Sequence, residues 1–128
     1  MEITIKTTQE EKLNIVHTAL CNGLSFMQGY DLEFDIIGDK EQARKNLKEK
    51  GKDMCFEDFI IEVIRLDGDL QVKDYNDEQI HHLNLESIEE NFDNIVSKHI
   101  LDVINGHDDA ITADCILQTL IYGEVIYG

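Results

Sequence analysis

A chain of 128 residues with 42% apolar and 30% charged residues is long enough for one domain with its own core, and its composition excludes an acidic disordered tail. The 27 Asp+Glu against 11 Lys+Arg leave a formal net charge of -16, whose field opposes direct binding to a polyanion such as nucleic acid. Three cysteines outside any Cys-x-x-Cys pattern, an N-terminus without a signal-peptide head and the lack of a bilayer-length apolar run point to a reduced cytoplasmic protein with mostly buried thiols and no membrane association.

Ile3 and Ile5 alternate with Glu2, Thr4 and Lys6 and predict a short strand. Thr8 and Glu11 have capping-box spacing ahead of Leu13, Val16, Leu20 and Leu24, which predicts a helix stopped at Asn22-Gly23. Tyr30, Leu32, Phe34 and Ile36 then alternate with Asp31, Glu33 and Asp35, the pattern of a strand with one dry and one acidic face. Asp39 is a good N-cap and Gly51 a good stop for a helix over 40–50, in which only Ala43 and Leu47 are apolar.

Phe56, Phe59, Ile60, Val63 and Ile64 form a helical stripe, favoured over a strand reading of Ile60–Leu66. After Asp67-Gly68, the runs Leu70–Tyr75 and Ile80–Leu85 flank a four-residue loop and predict a hairpin. Asn84 caps a short helix carrying Ile88 and Phe92, and Val96, Ile100 and Ile104 mark another, ended by Asn105-Gly106. Asp108 or Asp109 caps a last helix with Ala113, Ile116, Leu117, Leu120 and Ile121 on its stripe, and Val125-Ile126-Tyr127 is expected to add an edge strand. The expectation is a single α+β domain over 1–128, a short, mostly antiparallel sheet of about four strands covered by four to six helices.

No catalytic pattern emerges from the motifs, and neither a metal nor another cofactor is expected. Read as a calcium loop, Asp67-Gly68-Asp69 places Gln71, Val72 and Glu78 at the fifth, sixth and twelfth positions, so the essential turn glycine is missing. His81 and His82 are adjacent on a strand and point to opposite faces, His81 inward. His107 precedes the acidic start of the last helix, and His17 and His99 lack a His or Glu at i+4. Cys115 lies among Ile116 and Leu117 and reads as a core thiol rather than a nucleophile. Leu85-Glu86-Ser87-Ile88 lacks the Gly-x-Asp-Ser-Leu pattern of acyl carrier proteins.

Charge is unevenly distributed. Residues 40–52 hold six of the 11 Lys+Arg and two acids, so this segment is +4 and the other residues sum to -20. Lys40, Arg44 and Lys48 share one helix face and read first as a counter-charge to the acidic strand or hairpin. The alternative is an anion site for a phosphate or nucleotide ligand, in a binding protein or an enzyme, although no aromatic residue is interleaved to stack bases.

At Cys55-Phe56-Glu57-Asp58, Asp108-Asp109-Ala110-Ile111-Thr112-Ala113-Asp114 and Gly123-Glu124-Val125-Ile126-Tyr127-Gly128 the chain resembles small acidic proteins of tailed bacteriophages. The resemblance spans roughly the C-terminal half and ties no motif to a chemistry. It implies an accessory protein acting in the host bacterial cytoplasm. The expected function is therefore non-catalytic: binding and inhibition of a basic or nucleic-acid-binding host or phage protein, by nucleic-acid mimicry. The expected surface is Asp31, Glu33, Asp35, Asp67, Asp69, Asp74, Asp77 and Glu78, with acidity for solubility alone as the competing reading and homodimerisation left open.

Overall fold

The computed structural model of the chain describes residues 7–51 and 55–127. The strand expected at Ile3–Ile5 lies outside them. In order, the elements are α1 (Gln9–Met27), a 3₁₀ turn (Gln28–Tyr30), β1 (Leu32–Ile37), α2 (Lys40–Glu49), α3 (Phe56–Arg65), β2 (Asp69–Asp74), β3 (Gln79–Leu83), α4 (Leu85–Asn91), a second 3₁₀ turn (Phe92–Asn94), α5 (Ser97–Ile104) and α6 (Ala110–Tyr122). The class is α+β. Among the described residues the sheet has three antiparallel strands in the order β1-β2-β3, rather than about four, and residues 125–127 form no strand.

Caps decide where the helices begin. Thr8 and Glu11 close the capping box of α1, the Asp39 side chain accepts from Gln42 N at 3.0 Å, Asn84 and Ser87 cap α4, and Asp109 accepts from Thr112 N at 2.8 Å. Helix ends obey tertiary contacts as well. Asn22-Gly23 does not stop α1, which continues to Met27. Gly23 is buried in the seam with α6, where an added Cβ would lie 2.9 Å from Ala113 Cβ and 3.0 Å from Asp114 N, so the missing side chain lets two helices meet.

At the end of α3, Asp67 N–H donates to Ile64 O and Gly68 N–H to Val63 O, with Asp67 in the left-handed region at φ 65. This is a Schellman cap. A Cβ on Gly68 would meet Val63 Cγ1 at 2.4 Å, so the Asp67-Gly68 pair has a structural reason that owes nothing to calcium.

The sheet buries one face. Phe34, Val72 and His81 lie in register, as do Ile36, Leu70 and Leu83, and both rows face the helices. The main core joins Leu13, Leu20, Leu24 and Met27 of α1 to Ile60 and Ile64 of α3 and to Ile116, Leu117 and Leu120 of α6, and a smaller cluster seats Ala43 and Leu47 of α2 against Phe59 and Val63. All five predicted stripe residues of α6 are buried. By contrast α5 buries none of its residues, and Val96 and Ile104 of its expected stripe are exposed.

Candidate functional site

Among the described residues the second sheet face is uncovered. Its cross-strand rows are Glu33–Lys73–Ile80, Asp35–Gln71–His82 and Ile37–Asp69, which follow from period-two alternation and the antiparallel register. Glu33, Asp35, Lys73, Ile37, Ile80 and His82 are exposed, and Asp31, Asp67, Asp77 and Glu78 are exposed around the rim. Lys73 is the one Lys or Arg on the three strands. Among the described residues, the Asp31, Asp35, Asp67 and Glu78 side chains have no hydrogen-bond or ion-pair partner, while Glu33 accepts from the Tyr75 hydroxyl. Asp69 meets His82 Nδ1 at 2.6 Å and Asp77 meets His81 Nε2 at 2.7 Å.

Asp74 does not belong to this surface. It has 0% exposure and shares the buried face with Leu70 and Val72, a phase visible in the spacing 70, 72, 74. Its carboxylate accepts from the hydroxyls of Tyr122 and Tyr127 and from Asn76 N at 2.8 Å. Burial pushes the Asp74 carboxyl up, but these hydrogen bonds together outweigh it and hold its pKa at about 2. The same carboxylate, after burial, pushes the Tyr127 hydroxyl up to about 12.

A second buried acid, Asp114, accepts from the Tyr30 hydroxyl at 2.7 Å and from Gln118 Nε2 at 2.9 Å, and its Oδ1 has no hydrogen-bond partner. Here burial wins over both hydrogen bonds and the pKa is raised. Gln118 also receives the backbone N–H groups of Ile126 and Tyr127 and donates to Tyr127 O, so it holds the C-terminal tail in place of the expected edge strand.

The basic helix is placed on the opposite side of α3 from the main core. Lys40, Arg44 and Lys48 are exposed and, among the described residues, none pairs with a carboxylate; Arg44 lies 5.0 Å over the Phe59 ring. The ion pair that this segment does make among the described residues is not to the acidic strand or hairpin but to α3: Lys50 Nζ reaches the buried Glu62 at 3.2 Å beside Arg65 and Asn46. Burial pushes the Glu62 carboxyl up, but Asn46, Lys50 and Arg65 together hold it below its usual range.

Among the described residues two side-chain groups bring metal-ligating atoms together: His17, Cys55 and Asp58, and Asp74, Asp77 and His81. The second is built on Asp74, whose oxygens are already taken by Tyr122, Tyr127 and Asn76. In the first, His17 Nε2 lies 2.7 Å from Asp58 Oδ1, Cys55 Sγ 3.0 Å from Asp58 Oδ2 and Cys21 Sγ 3.9 Å from His17 Nε2. Cys21 and Cys55 are exposed and Cys115 is half-buried, which corrects the expectation of mostly buried thiols. Partial desolvation, then Glu57, Cys55 and Asp58, push the Cys21 thiol up, and the Asp58 hydrogen bond does most to push up Cys55. Cys21, not His or Glu, stands at i+4 from His17, so the spacing itself is the available signal.

An open apolar groove of about 520 Å³ runs between α1 and α5, with Ile15, Phe92, Ile95, Ile100, Leu101 and Ile104 on its walls. No helix among the described residues is long and apolar enough to cross a membrane. Comparison of the chain with protein-family models, with curated proteins and with solved structures returns no match.

Proposed function

We propose that the protein is a non-catalytic accessory protein that docks its uncovered acidic sheet face on a basic, nucleic-acid-binding protein and blocks it. The observation that carries this reading is the set of exposed carboxylates at Asp31, Glu33, Asp35, Asp67 and Glu78, left without Lys or Arg partners among the described residues on a face bearing one lysine. Glu33 and Asp35 repeat along one side of a strand, roughly 6.7 Å apart, and present a regular row of negative charge of the kind a nucleic-acid-binding protein meets in a phosphate backbone. Ile37 and Ile80 are 44% and 55% exposed within that face and supply apolar surface for a partner to bury, so charge steers the encounter and the isoleucines hold it. The resemblance to phage proteins supports a partner from a host bacterium, and Asp69 and Asp77, partnered by histidines, flank the face rather than carry it.

The test is affinity capture from bacterial lysate at physiological salt, by the wild type and by the combined Asp31→Asn, Glu33→Gln and Asp35→Asn variant. The expected result is a basic protein retained by the wild type, displaced by added duplex DNA and lost by the variant. Equal capture by both proteins, or a captured protein that DNA does not displace, overturns the reading.

A further inference from the structure

We propose that His17, Cys21, Cys55 and Asp58 form a binding site for a single zinc ion that ties α1 to the start of α3. The site goes beyond the docking function and does not rest on it. Three donors of the right kind, those of His17, Cys55 and Asp58, converge from two elements, and Cys21 stands beside the imidazole as the fourth. His17 and Cys21 stand one helical turn apart on the same face of α1, and Cys55 and Asp58 are the N-cap and third helical residue of α3. Cys55 takes an extended backbone, φ -80 and ψ 160, which turns its side chain toward the first turn, where its Sγ donates to Asp58.

The distances among His17, Cys55 and Asp58 suit a tetrahedral ion. Zinc bonds of about 2.3 Å to sulfur and about 2.0–2.2 Å to nitrogen and oxygen separate neighbouring ligand atoms by about 3.3–3.8 Å. Here the donor atoms of His17, Cys55 and Asp58 all lie within 4.8 Å of one another, and Cys21 Sγ is 3.9 Å from the imidazole nitrogen. The 2.7 and 3.0 Å contacts are hydrogen bonds, and replacing their shared protons with a cation lengthens each by less than about an ångström. The donor set selects the metal: two thiols and an imidazole suit zinc and reject calcium and magnesium, which take oxygen. Binding exchanges the two thiol protons for the dication, and the neighbouring Glu57 and Asp58 carboxylates, which disfavour a bare thiolate, favour the bound cation. With the His17 and Asp58 side chains 35% and 19% exposed and both thiols at the surface, the ion has an open entry path.

Titration of the reduced full-length chain with cobalt(II), followed by zinc, tests the site. The expected result is an equimolar complex with thiolate-to-cobalt charge-transfer bands and the intense visible bands of a tetrahedral ion, abolished by one equivalent of zinc. Cys21→Ser and Cys55→Ser are each expected to weaken zinc binding by more than the roughly 10–100-fold that loss of an outer-shell partner costs. His17→Gln is expected to do the same, and Cys115→Ser to bind as the wild type does. Circular dichroism checks that each variant is folded, as its surface position predicts. Absence of charge-transfer bands in the wild type overturns the proposal, and so does wild-type affinity in both the Cys21→Ser and Cys55→Ser variants.

Discussion

Asp74 and Asp114 are both nearly or fully buried acids, yet their surroundings drive them in opposite directions. Asp74, with a folded pKa of about 2 against an ordinary 3.8, contributes stability that is complete above about pH 4 and is lost as pH falls toward 2. That difference amounts to about 2–3 kcal/mol at neutral pH. Asp74→Ala is expected to cost at least this much in urea unfolding at pH 7, because it strands the Tyr122 and Tyr127 hydroxyls, and to flatten the acid limb between pH 4 and 2. Asp114 has the reverse sign: its raised pKa means stability present below the ordinary value of 3.8 and lost as pH climbs through the folded value. Asp114→Asn keeps an acceptor for Tyr30 and Gln118 and is expected to be more stabilising at pH 8 than at pH 4. Equal effects at the two pH values would mean that the orphaned Oδ1 is not the source of the penalty.

Between elements, α1 and α6 meet tightly in the seam at Gly23. Gly23→Val is expected to lower stability by about 1–3 kcal/mol, since a Cβ at 2.9 Å from Ala113 forces the helices apart; thermal unfolding measures it, and an unchanged midpoint would show that the seam can open. The basic helix α2 is attached by Ala43, Leu47 and the Lys50–Glu62–Arg65 group rather than by its charged outer face. Glu62→Ala removes the 2% exposed carboxylate that both cations share and is expected to cost about 2–4 kcal/mol, whereas Lys40→Gln with Lys48→Gln should stay within about 0.5 kcal/mol. Chemical denaturation of the two variants checks the contrast.

For the molecule as a whole, a charge of -16 with few ion pairs implies self-repulsion that salt relieves. The melting temperature is therefore expected to rise between about 0.01 M and about 0.3 M sodium chloride, as the Debye length shrinks from about 30 Å to below 8 Å. A falling melting temperature over that range would mean that attractive pairs dominate the field. The same screening should weaken capture of a basic partner, so stability and binding are expected to move in opposite directions with salt.

Local pattern determined the helices and strands of this protein. Capping residues Thr8, Asp39, Asn84 and Asp109, the period-two run at β1 and the α6 stripe each have a cause within a few residues of themselves, so they are legible in the sequence. The acidic sheet face is legible in the same way, through alternation, and the phase of Leu70 and Val72 already separates Asp74 from it. Other features depend on residues distant in the chain. Gly23 reads as a stop until α6 lies across it, the tail reads as a strand until Gln118 takes its N–H groups, and α5 reads as a buried stripe although Ile100 is only partly buried and Val96 and Ile104 stay exposed. His17 and Cys21 stand 34 or more positions before Cys55 and Asp58, and nothing local links the pairs. Only the packing of α1 against α3 brings His17, with Cys21 beside it, to Cys55 and Asp58, because a tertiary contact can join side chains whose sequence separation carries no periodic or capping signal.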